Sequence, residues 1–264
     1  MRRITLVALA AALVLIAGRP ALAIVYGQPD GNLHPQVGAM VVTFEGETFT
    51  FCSGTLISPT VFLTAAHCTE AAKEFFDLEP DDFEVTFDPT FDESSPTVPG
   101  TAFSDPLFGS GGFSDAHDIA VVVLDAPYTA ATPAQLPTAG LLDRLKASGE
   151  LKTATFTAVG YGAVRESRKQ GPQGILDNNE RRYATQSFLA LRPAWLTLSM
   201  NQATGDGGTC FGDSGGPHFL GGPTSNLIVS LTVTGDAVCK ATDVTYRIDT
   251  PAARAFLSRF VTLP

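Results

Sequence analysis

Short stretches of apolar or alternating residues, separated by Gly and Pro, follow one another along most of the chain. They predict strands at 37–44, 49–57, 61–65, 83–87, 119–124, 151–159, 195–199 and 227–233. Strands at this density, with no helical pattern between them, are typical of β-sandwiches and β-barrels and not of βαβ units. The pattern therefore predicts an all-β fold.

The end of the chain follows a different pattern. Thr250 followed by Pro251 matches a helix N-cap with proline at the first helical position. The apolar residues after it recur at helical spacing and share one face: Ala253, Phe256, Leu257, Phe260 and Val261. We therefore expect a C-terminal helix that packs against the β-structure.

Residues 1–23 have the pattern of a signal peptide. Arg2 and Arg3 precede an apolar run over 4–18, and residues 21–23, Ala-Leu-Ala, have the small-x-small form that signal peptidase cleaves. The run is short for a membrane-spanning helix, and no later segment is apolar over the roughly 18 residues that such a helix needs. We therefore expect a secreted, extracellular protein with no membrane association once residues 1–23 are removed.

Composition and charge argue against some classes of function. The 264 residues carry 17 Lys and Arg against 27 Asp and Glu, a formal net charge of −10. An acidic protein repels phosphate backbones, so nucleic acid is not an expected partner. Ten acids lie within 70–93, but they lack EF-hand spacing and suit a solvated loop better than a calcium loop. We predict no metal site and no cofactor.

The four cysteines are Cys52, Cys68, Cys210 and Cys239. After export they would meet oxidising conditions, which favour disulfides. Their spacing contains no CxxC pair and offers no zinc quartet. Disulfides are therefore the favoured interpretation, with three pairings open at this point.

Three local sequences carry candidate chemistry: Thr-Ala-Ala-His-Cys at 64–68, Asp-Ile-Ala at 118–120 and Gly-Asp-Ser-Gly-Gly-Pro at 212–217. Residues 212–216 also match the GxSxG turn of α/β-hydrolases. That fold needs its acid and then its histidine after the serine, and only His218 follows Ser214. His218 is too near in sequence to return across a sheet as the base, so the α/β-hydrolase interpretation fails.

In the order His67, Asp118, Ser214, the motifs resemble the catalytic segments of the trypsin and chymotrypsin family of secreted serine proteases. The resemblance includes Ile-Val-Tyr-Gly at 24–27 and covers nearly all of the chain after residue 23. It implies two antiparallel six-stranded β-barrels of the chymotrypsin type with a C-terminal α-helix. The Ala-, Pro- and Thr-rich segment 126–140 would then link an N-terminal barrel, about 24–125, to a C-terminal barrel and helix, about 141–264.

The resemblance implies a role for each motif, and the roles are those of the family's own triad. His67 takes a proton from the hydroxyl of the nucleophile, Ser214, because a serine hydroxyl is a weak nucleophile near neutral pH. Asp118 orients the imidazole and stabilises its charged form. The backbone N–H groups of Gly212 and Ser214 form the oxyanion hole. His117 is an alternative imidazole beside Asp118, but the Thr-Ala-Ala-His-Cys context favours His67.

Two covalent features and one ion pair are also implied. The disulfides of the family correspond here to Cys52–Cys68 and Cys210–Cys239. A cut after residue 23 would free the α-amino group of Ile24, which would fold inward and pair with Asp213. Tyr26 stands where the family usually has glycine. We expect export itself to produce this start, with no propeptide.

The specificity pocket implied by the resemblance consists of Gly208, Thr209, Ser230, Thr232 and Val244. Cleavage after Arg or Lys needs an acid at the pocket floor, where Gly208 stands. Val244 is expected to oppose Thr232 and to narrow the pocket, which favours small or medium apolar residues before the cut. Asp236 and Asp243 are near in sequence, and either would restore a basic preference if it points inward.

The prediction is a monomeric, secreted serine endopeptidase that hydrolyses protein or peptide substrates through an acyl-enzyme. Protein inhibitors are its other expected partners. Two alternatives stay open at this stage. One is an esterase or amidase that uses the same triad on another acyl group, and the other is a non-catalytic binding homologue with the fold alone.

Overall fold

The computed structural model describes residues 24–165 and 175–264. The signal peptide predicted at 1–23 lies outside the described residues. A first short strand, β1 (Gln28–Pro29), precedes six strands of a closed barrel: β2 (Val37–Phe44), β3 (Glu47–Ser58), β4 (Val61–Thr64), β5 (Phe83–Thr86), β6 (Thr97–Ser104) and β7 (Ala120–Leu124). They pair antiparallel in the order β2-β3-β4-β7-β6-β5, and β5 closes the ring on β2. Helix α1 (Ala66–Phe76) leaves the barrel directly after β4.

The second half forms another ring of six antiparallel strands. After helix α2 (Leu141–Ser148), these are β8 (Thr155–Gly160), β11 (Arg182–Leu191), β12 (Trp195–Ser199), β13 (Pro217–Leu220), β14 (Ile228–Gly235) and β15 (Thr242–Arg247). The order is β8-β13-β14-β15-β12-β11, and β11 pairs back to β8. β9 (Val164–Arg165) and β10 (Ile175–Leu176) pair antiparallel in a small sheet of their own. Two six-stranded barrels and a C-terminal helix confirm the predicted fold class.

The two barrels share an apolar core. Val37, Leu63 and Val121 of the first barrel pack in one buried cluster with Phe219 and Leu231 of the second. Apolar side chains recur in these strands, and closing a sheet into a barrel directs one face of it inward. The strand β1 adds to the outside of β11, so the N-terminal segment lies against the second barrel before it enters the first. This arrangement places residues 24–27 near the loops of the second barrel.

Helix α3 (Pro251–Leu257) begins where the sequence predicts it. The N–H of Ala253 donates to Thr250 Oγ1 at 3.3 Å, which satisfies one of the free donors of the first turn. The helix ends at Leu257, but Phe260 and Val261 still pack against the core in the turn that follows. No helix in the described residues has both the length and the apolar composition needed to span a bilayer.

Candidate active site

His67 and Asp118 come together through strand pairing. His67 lies in the first turn of α1, just after β4, and Asp118 precedes β7. The two strands are antiparallel neighbours with Thr64 opposite Ala120, so the end of one lies beside the start of the other. Asp118 is buried; its Oδ2 lies 2.8 Å from His67 Nδ1, and its Oδ1 accepts from the His67 backbone N–H at 2.8 Å. Both carboxylate oxygens therefore hold one histidine.

The tautomer of His67 follows from this contact. A carboxylate accepts hydrogen bonds, so Nδ1 carries the proton and Nε2 keeps its lone pair in the neutral ring. About one third of the side chain is exposed, which leaves the ring accessible from the solvent side. An imidazole with an unprotonated Nε2 is able to accept a proton at that atom.

Ser214 lies in the loop between β12 and β13, which is seated against the first barrel. Its carbonyl accepts from the N–H of Ser53 at 2.9 Å. The next residue, Gly215, has φ +76°, and a Cβ there would lie 2.2 Å from Thr64 Oγ1 and 2.7 Å from Ala65 N. The serine loop therefore touches the segment that leads into His67. In the described parts of the chain, the Ser214 hydroxyl has no hydrogen bond to His67 or to another residue.

The backbone before Ser214 has the geometry of an anion-binding turn. Gly212 has φ +92°, a conformation that favours glycine. The N–H groups of Gly212 and Ser214 have no acceptor within residues 24–165 and 175–264. Two unpaired N–H groups on one tight loop are able to stabilise a developing negative charge.

The next residue of this loop, Asp213, is fully buried, and its side chain lies beneath the loop. Its two oxygens accept from the backbone N–H groups of Gly162 and Cys210, each at 2.8 Å. Burial raises the pKa of Asp213 to about 7; the two N–H groups oppose this, and Asp243 adds to it. No cation contacts Asp213 in the described residues. The carboxyl group therefore lacks the partner that would keep it charged at low cost.

The segment predicted to supply that partner lies nearby. Ile24 and Val25 are completely buried. Val25 packs with Ala163 and the Cys210–Cys239 bridge, and its carbonyl accepts from Gly208 N–H at 3.0 Å. No hydrogen bond joins Ile24 to Asp213 in the described residues.

Both disulfides implied by the resemblance are present, Cys52–Cys68 and Cys210–Cys239. The first ties β3 to the helix that carries His67, and the second ties the serine loop to the segment after β14. Cys52, His67 and Cys68 are the group of potential metal ligands that lie together in the described residues, but both sulfurs are in the disulfide.

A cavity of about 280 Å³ lies beside Ser214. Of the predicted pocket residues, Thr209 and Thr232 line it, together with Val233, Thr234 and the residues around Cys210 and Cys239. Gly208, Ser230 and Val244 are not among its lining residues within the described chain. Gly208 packs against Met200 and Gln186 instead, and the Ser230 hydroxyl accepts from Thr245 Oγ1 inside the barrel.

The prediction that Val244 opposes Thr232 is wrong. The ladder between β14 and β15 shifts register between Thr232 and Thr234, so Thr232 pairs with Thr245 and Val244 pairs with Thr234. A β-bulge inserts one residue into a strand and changes which side chains face each other. Val244 instead lines a separate cavity of about 620 Å³ with Trp195.

The two acids near the pocket differ in position. Asp236 lines the cavity, and its carboxylate accepts from the N–H groups of Lys240, Ala241 and Thr242. Partial burial works against ionisation, but these N–H groups lower the pKa of Asp236 overall. Asp243 is fully buried and is not among the residues that line the cavity in the described chain; Gln186 Nε2 donates to it at 2.9 Å, and His218 Nε2 lies 3.5 Å away.

Two further cavities share lining residues with the cavity beside Ser214. Phe211 lines both that cavity and one of about 540 Å³ that Phe49, Phe51 and Gly212 also line. Val233 and Thr234 line both the first cavity and the 620 Å³ cavity around Trp195 and Phe113. In the described chain, the surface around Ser214 therefore has three neighbouring recesses.

Ser53 belongs to the site, although the sequence analysis does not single it out. It follows Cys52 on β3, is fully buried and contacts the serine loop through its backbone N–H. Ser53 lies there because β3 packs against the serine loop of the second barrel. No motif around Ser53 indicates this contact.

A double barrel with a His–Asp pair and a glycine-rich serine loop at the junction defines the class of double-barrel serine proteases. The model of the Trypsin family matches residues 29–255. The chain belongs to the trypsin family and is a serine endopeptidase, with proteins as its class of substrate.

Two curated proteins illustrate the relationship. The chain is 30% identical to brachyurin from Leptuca pugilator over 213 residues, which cover 75% of this chain and 85% of that protein. It is 26% identical to trypsin from Saccharopolyspora erythraea over 226 residues, which cover 82% of this chain and 88% of that protein.

Proposed function

We propose that His67, Asp118 and Ser214 form the catalytic triad of this protease. The observation that carries the proposal is that Asp118 binds both Nδ1 and the backbone N–H of His67, since this leaves Nε2 unprotonated and able to act as a base. The contact of Nε2 in the described residues is with Cys68 Sγ, at 3.7 Å. Ser214 Oγ attacks the substrate carbonyl, and its proton passes to Nε2. Gly212 and Ser214 N–H groups stabilise the resulting oxyanion.

The second half of the reaction uses the same groups. The tetrahedral intermediate collapses as the C–N bond breaks, and the proton on Nε2 passes to the leaving amine. Water then attacks the acyl-enzyme and gives a proton to His67, which passes it to Ser214 Oγ as the ester C–O bond breaks and the acid product leaves. No cofactor enters either half of the cycle.

The proposed preference is for small or medium apolar residues before the cut. A cavity of about 280 Å³ bordered by Thr209, Thr232 and Val233 suits such side chains. Asp236 borders the cavity, but its carboxylate already accepts hydrogen bonds from three backbone N–H groups. Asp243 is fully buried. A peptide panel that varies only the residue before the cut tests this preference. Cleavage mainly after Arg or Lys would contradict it.

The two further cavities that share lining residues with the cavity beside Ser214 favour an endopeptidase over an esterase for small acyl groups, because they give room to several residues of a peptide. The proposed enzyme is a monomer, acts outside the cell and is bound by protein inhibitors.

Casein hydrolysis by the chain that starts at Ile24 tests the function. Ser214→Ala is expected to abolish it, and Ser258→Ala, at an exposed serine after α3, is expected to leave it unchanged. Hydrolysis of small esters without cleavage of casein or peptides would favour the esterase. If folded protein hydrolyses neither small esters nor casein and peptides, the non-catalytic homologue would be favoured.

A further inference from the structure

The hydroxyl of Ser53 lies completely buried between the two barrels. It donates to the carbonyl of Gly212 at 3.0 Å and accepts from the N–H of Tyr161 at 3.0 Å. A hydroxyl has one proton to donate, so its single donor is committed to the serine loop. Ser53 belongs to the first barrel, whereas Gly212 and Tyr161 belong to the second.

The backbone of Ser53 holds the same loop from a second point. Its N–H donates to the Ser214 carbonyl at 2.9 Å, and its own carbonyl accepts from Thr64 Oγ1 at 2.9 Å. Ser53 therefore contacts the loop on both sides of Asp213, at the carbonyls of the two residues whose N–H groups are the proposed oxyanion donors.

The side-chain contact restrains a residue that is otherwise free to rotate. Gly212 has φ +92° and no side chain, so its peptide planes turn more easily than those of other residues. The direction of its N–H relative to its carbonyl depends on its φ and ψ. A Cβ at Gly212 would lie 3.0 Å from the α-carbon of Gly162, so packing limits one side of the turn. Holding the carbonyl limits the remaining freedom of the N–H.

We propose that Ser53 is a positioning residue of the oxyanion hole, whose hydroxyl holds the Gly212 carbonyl and thereby aims the Gly212 N–H at the developing oxyanion. The inference rests on the proposed role of Ser214. Ser53 touches neither substrate nor reacting atoms. Its effect belongs to the transition state, because the charge on the substrate oxygen develops there.

Ser53→Ala tests the proposal in the chain that starts at Ile24. Loss of one oxyanion donor lowers kcat by about 10²–10³-fold, and a residue that only aims a donor should have a smaller effect, about tenfold. KM should stay within about twofold, because ground-state contacts are unchanged. Affinity for a peptidyl trifluoromethyl ketone, which forms an oxyanion on Ser214, should fall by about the same factor as kcat.

Thr55→Val is the matched control. Thr55 lies two residues further along β3 and is also completely buried, but its hydroxyl has no hydrogen-bond partner in the described residues. Both variants remove one buried hydroxyl, and only Ser53→Ala removes a contact with the serine loop. All rates are expressed per active site titrated with a fluorophosphonate, so a loss of folded protein does not count as a loss of kcat.

The outcomes separate this inference from the proposed function. If the wild-type enzyme is not titrated at Ser214, the triad itself is wrong. If it is titrated, and Ser53→Ala keeps the kcat and ketone affinity of Thr55→Val, Ser53 does not position the oxyanion hole. Equal losses in both variants would also overturn the inference. Should Ser53→Ala not fold, Ser53→Gly replaces it, with the same expected loss of kcat and the same contradicting result.

Discussion

At the scale of single residues, the most unusual environment is that of Asp213. A buried carboxyl group held by two N–H groups but no cation is costly to ionise, which is why its pKa rises to about 7. An α-amino group released at Ile24 would provide the missing charge. The same residue then favours opposite ionisation states before and after the chain is cut.

This environment predicts how the stability of the uncut chain depends on pH. The pKa of Asp213 is about 7 in the folded chain and near its ordinary value of 3.8 when the chain is unfolded. The folded state binds the proton more tightly, so this contribution is fully present below about pH 4 and is lost as pH rises through 7. The loss is on the order of 4 kcal/mol.

Urea unfolding of the uncut Ser214→Ala chain at pH 4.5 and pH 8 measures the effect, with Asp213→Asn as the comparison. Asn does not titrate. As the pH rises from 4.5 to 8, the chain with Asp213 should therefore lose unfolding free energy relative to the chain with Asp213→Asn. A difference that does not vary with pH would show that the buried carboxyl group is not costly.

Residue roles divide clearly by whether sequence alone could predict them. The pair His67 and Asp118 follows from local motifs, because each lies directly beside a strand end whose pairing brings the two together. The position of Val244 does not follow, because one extra residue in a bulge changes the facing side chains and leaves no mark in the apolar pattern. Ser53 depends on a contact between distant segments, which local patterns do not encode.

At the scale of elements, the strands with continuous apolar or alternating patterns are the ones that the sequence predicts well. β2 and β12 have the predicted bounds, whereas β8 begins at Thr155 because residues 150–153 form a short 3₁₀ turn. Helix α1 is missed because its start overlaps the His67 motif and Cys68 is tied to β3. The strand β6 is missed because it contains Pro99 and Gly100.

The packing of the serine loop predicts how a substitution of Gly215 changes the unfolding free energy. An alanine there would combine strain at φ +76° with contacts of 2.2 Å to Thr64 Oγ1 and 2.6 Å to the Ser53 carbonyl. The left-handed conformation costs about 1–2 kcal/mol, and the overpacking adds about 1–3 kcal/mol. Gly215→Ala should therefore lower the unfolding free energy by several kcal/mol and reduce kcat per titrated site.

Gly149→Ala is the control for backbone strain alone. Gly149 has φ +84°, ends α2, and a Cβ there would meet no atom within 4 Å. It should cost about 1–2 kcal/mol and leave kcat unchanged. If the two alanines cost the same, the serine loop is not seated against the His67 segment as described. Urea denaturation and titrated turnover provide both comparisons.

At the scale of the whole molecule, the site exists only where the barrels meet. The first barrel supplies His67, Asp118 and Ser53, and the second supplies the loop with Ser214. The N-terminal segment joins them from outside, through β1 on β11 and through Val25 beside the Cys210–Cys239 bridge. Barrel docking and the Cys210–Cys239 bridge therefore both hold the same loop, and the proposed free amino group of Ile24 would act on it as well.

This arrangement predicts the start of the active protein. If a cut after residue 23 both releases the chain and frees the α-amino group, N-terminal sequencing of secreted, active enzyme should give Ile-Val-Tyr-Gly. A preparation that keeps one added residue before Ile24 should have much lower kcat, because its amino group is displaced from Asp213. Full activity in that preparation, or a natural start at another residue, would contradict the proposed activation.

The rate at which a fluorophosphonate modifies Ser214, followed by mass spectrometry, tests the triad most directly. His67→Ala should slow the reaction by at least about 10³-fold, because the hydroxyl loses its base. His117→Ala should react at the wild-type rate, since that ring contacts Asp105 at 3.3 Å and Asp115 at 4.0 Å. Modification of another residue, or an unchanged rate in His67→Ala, would contradict the account.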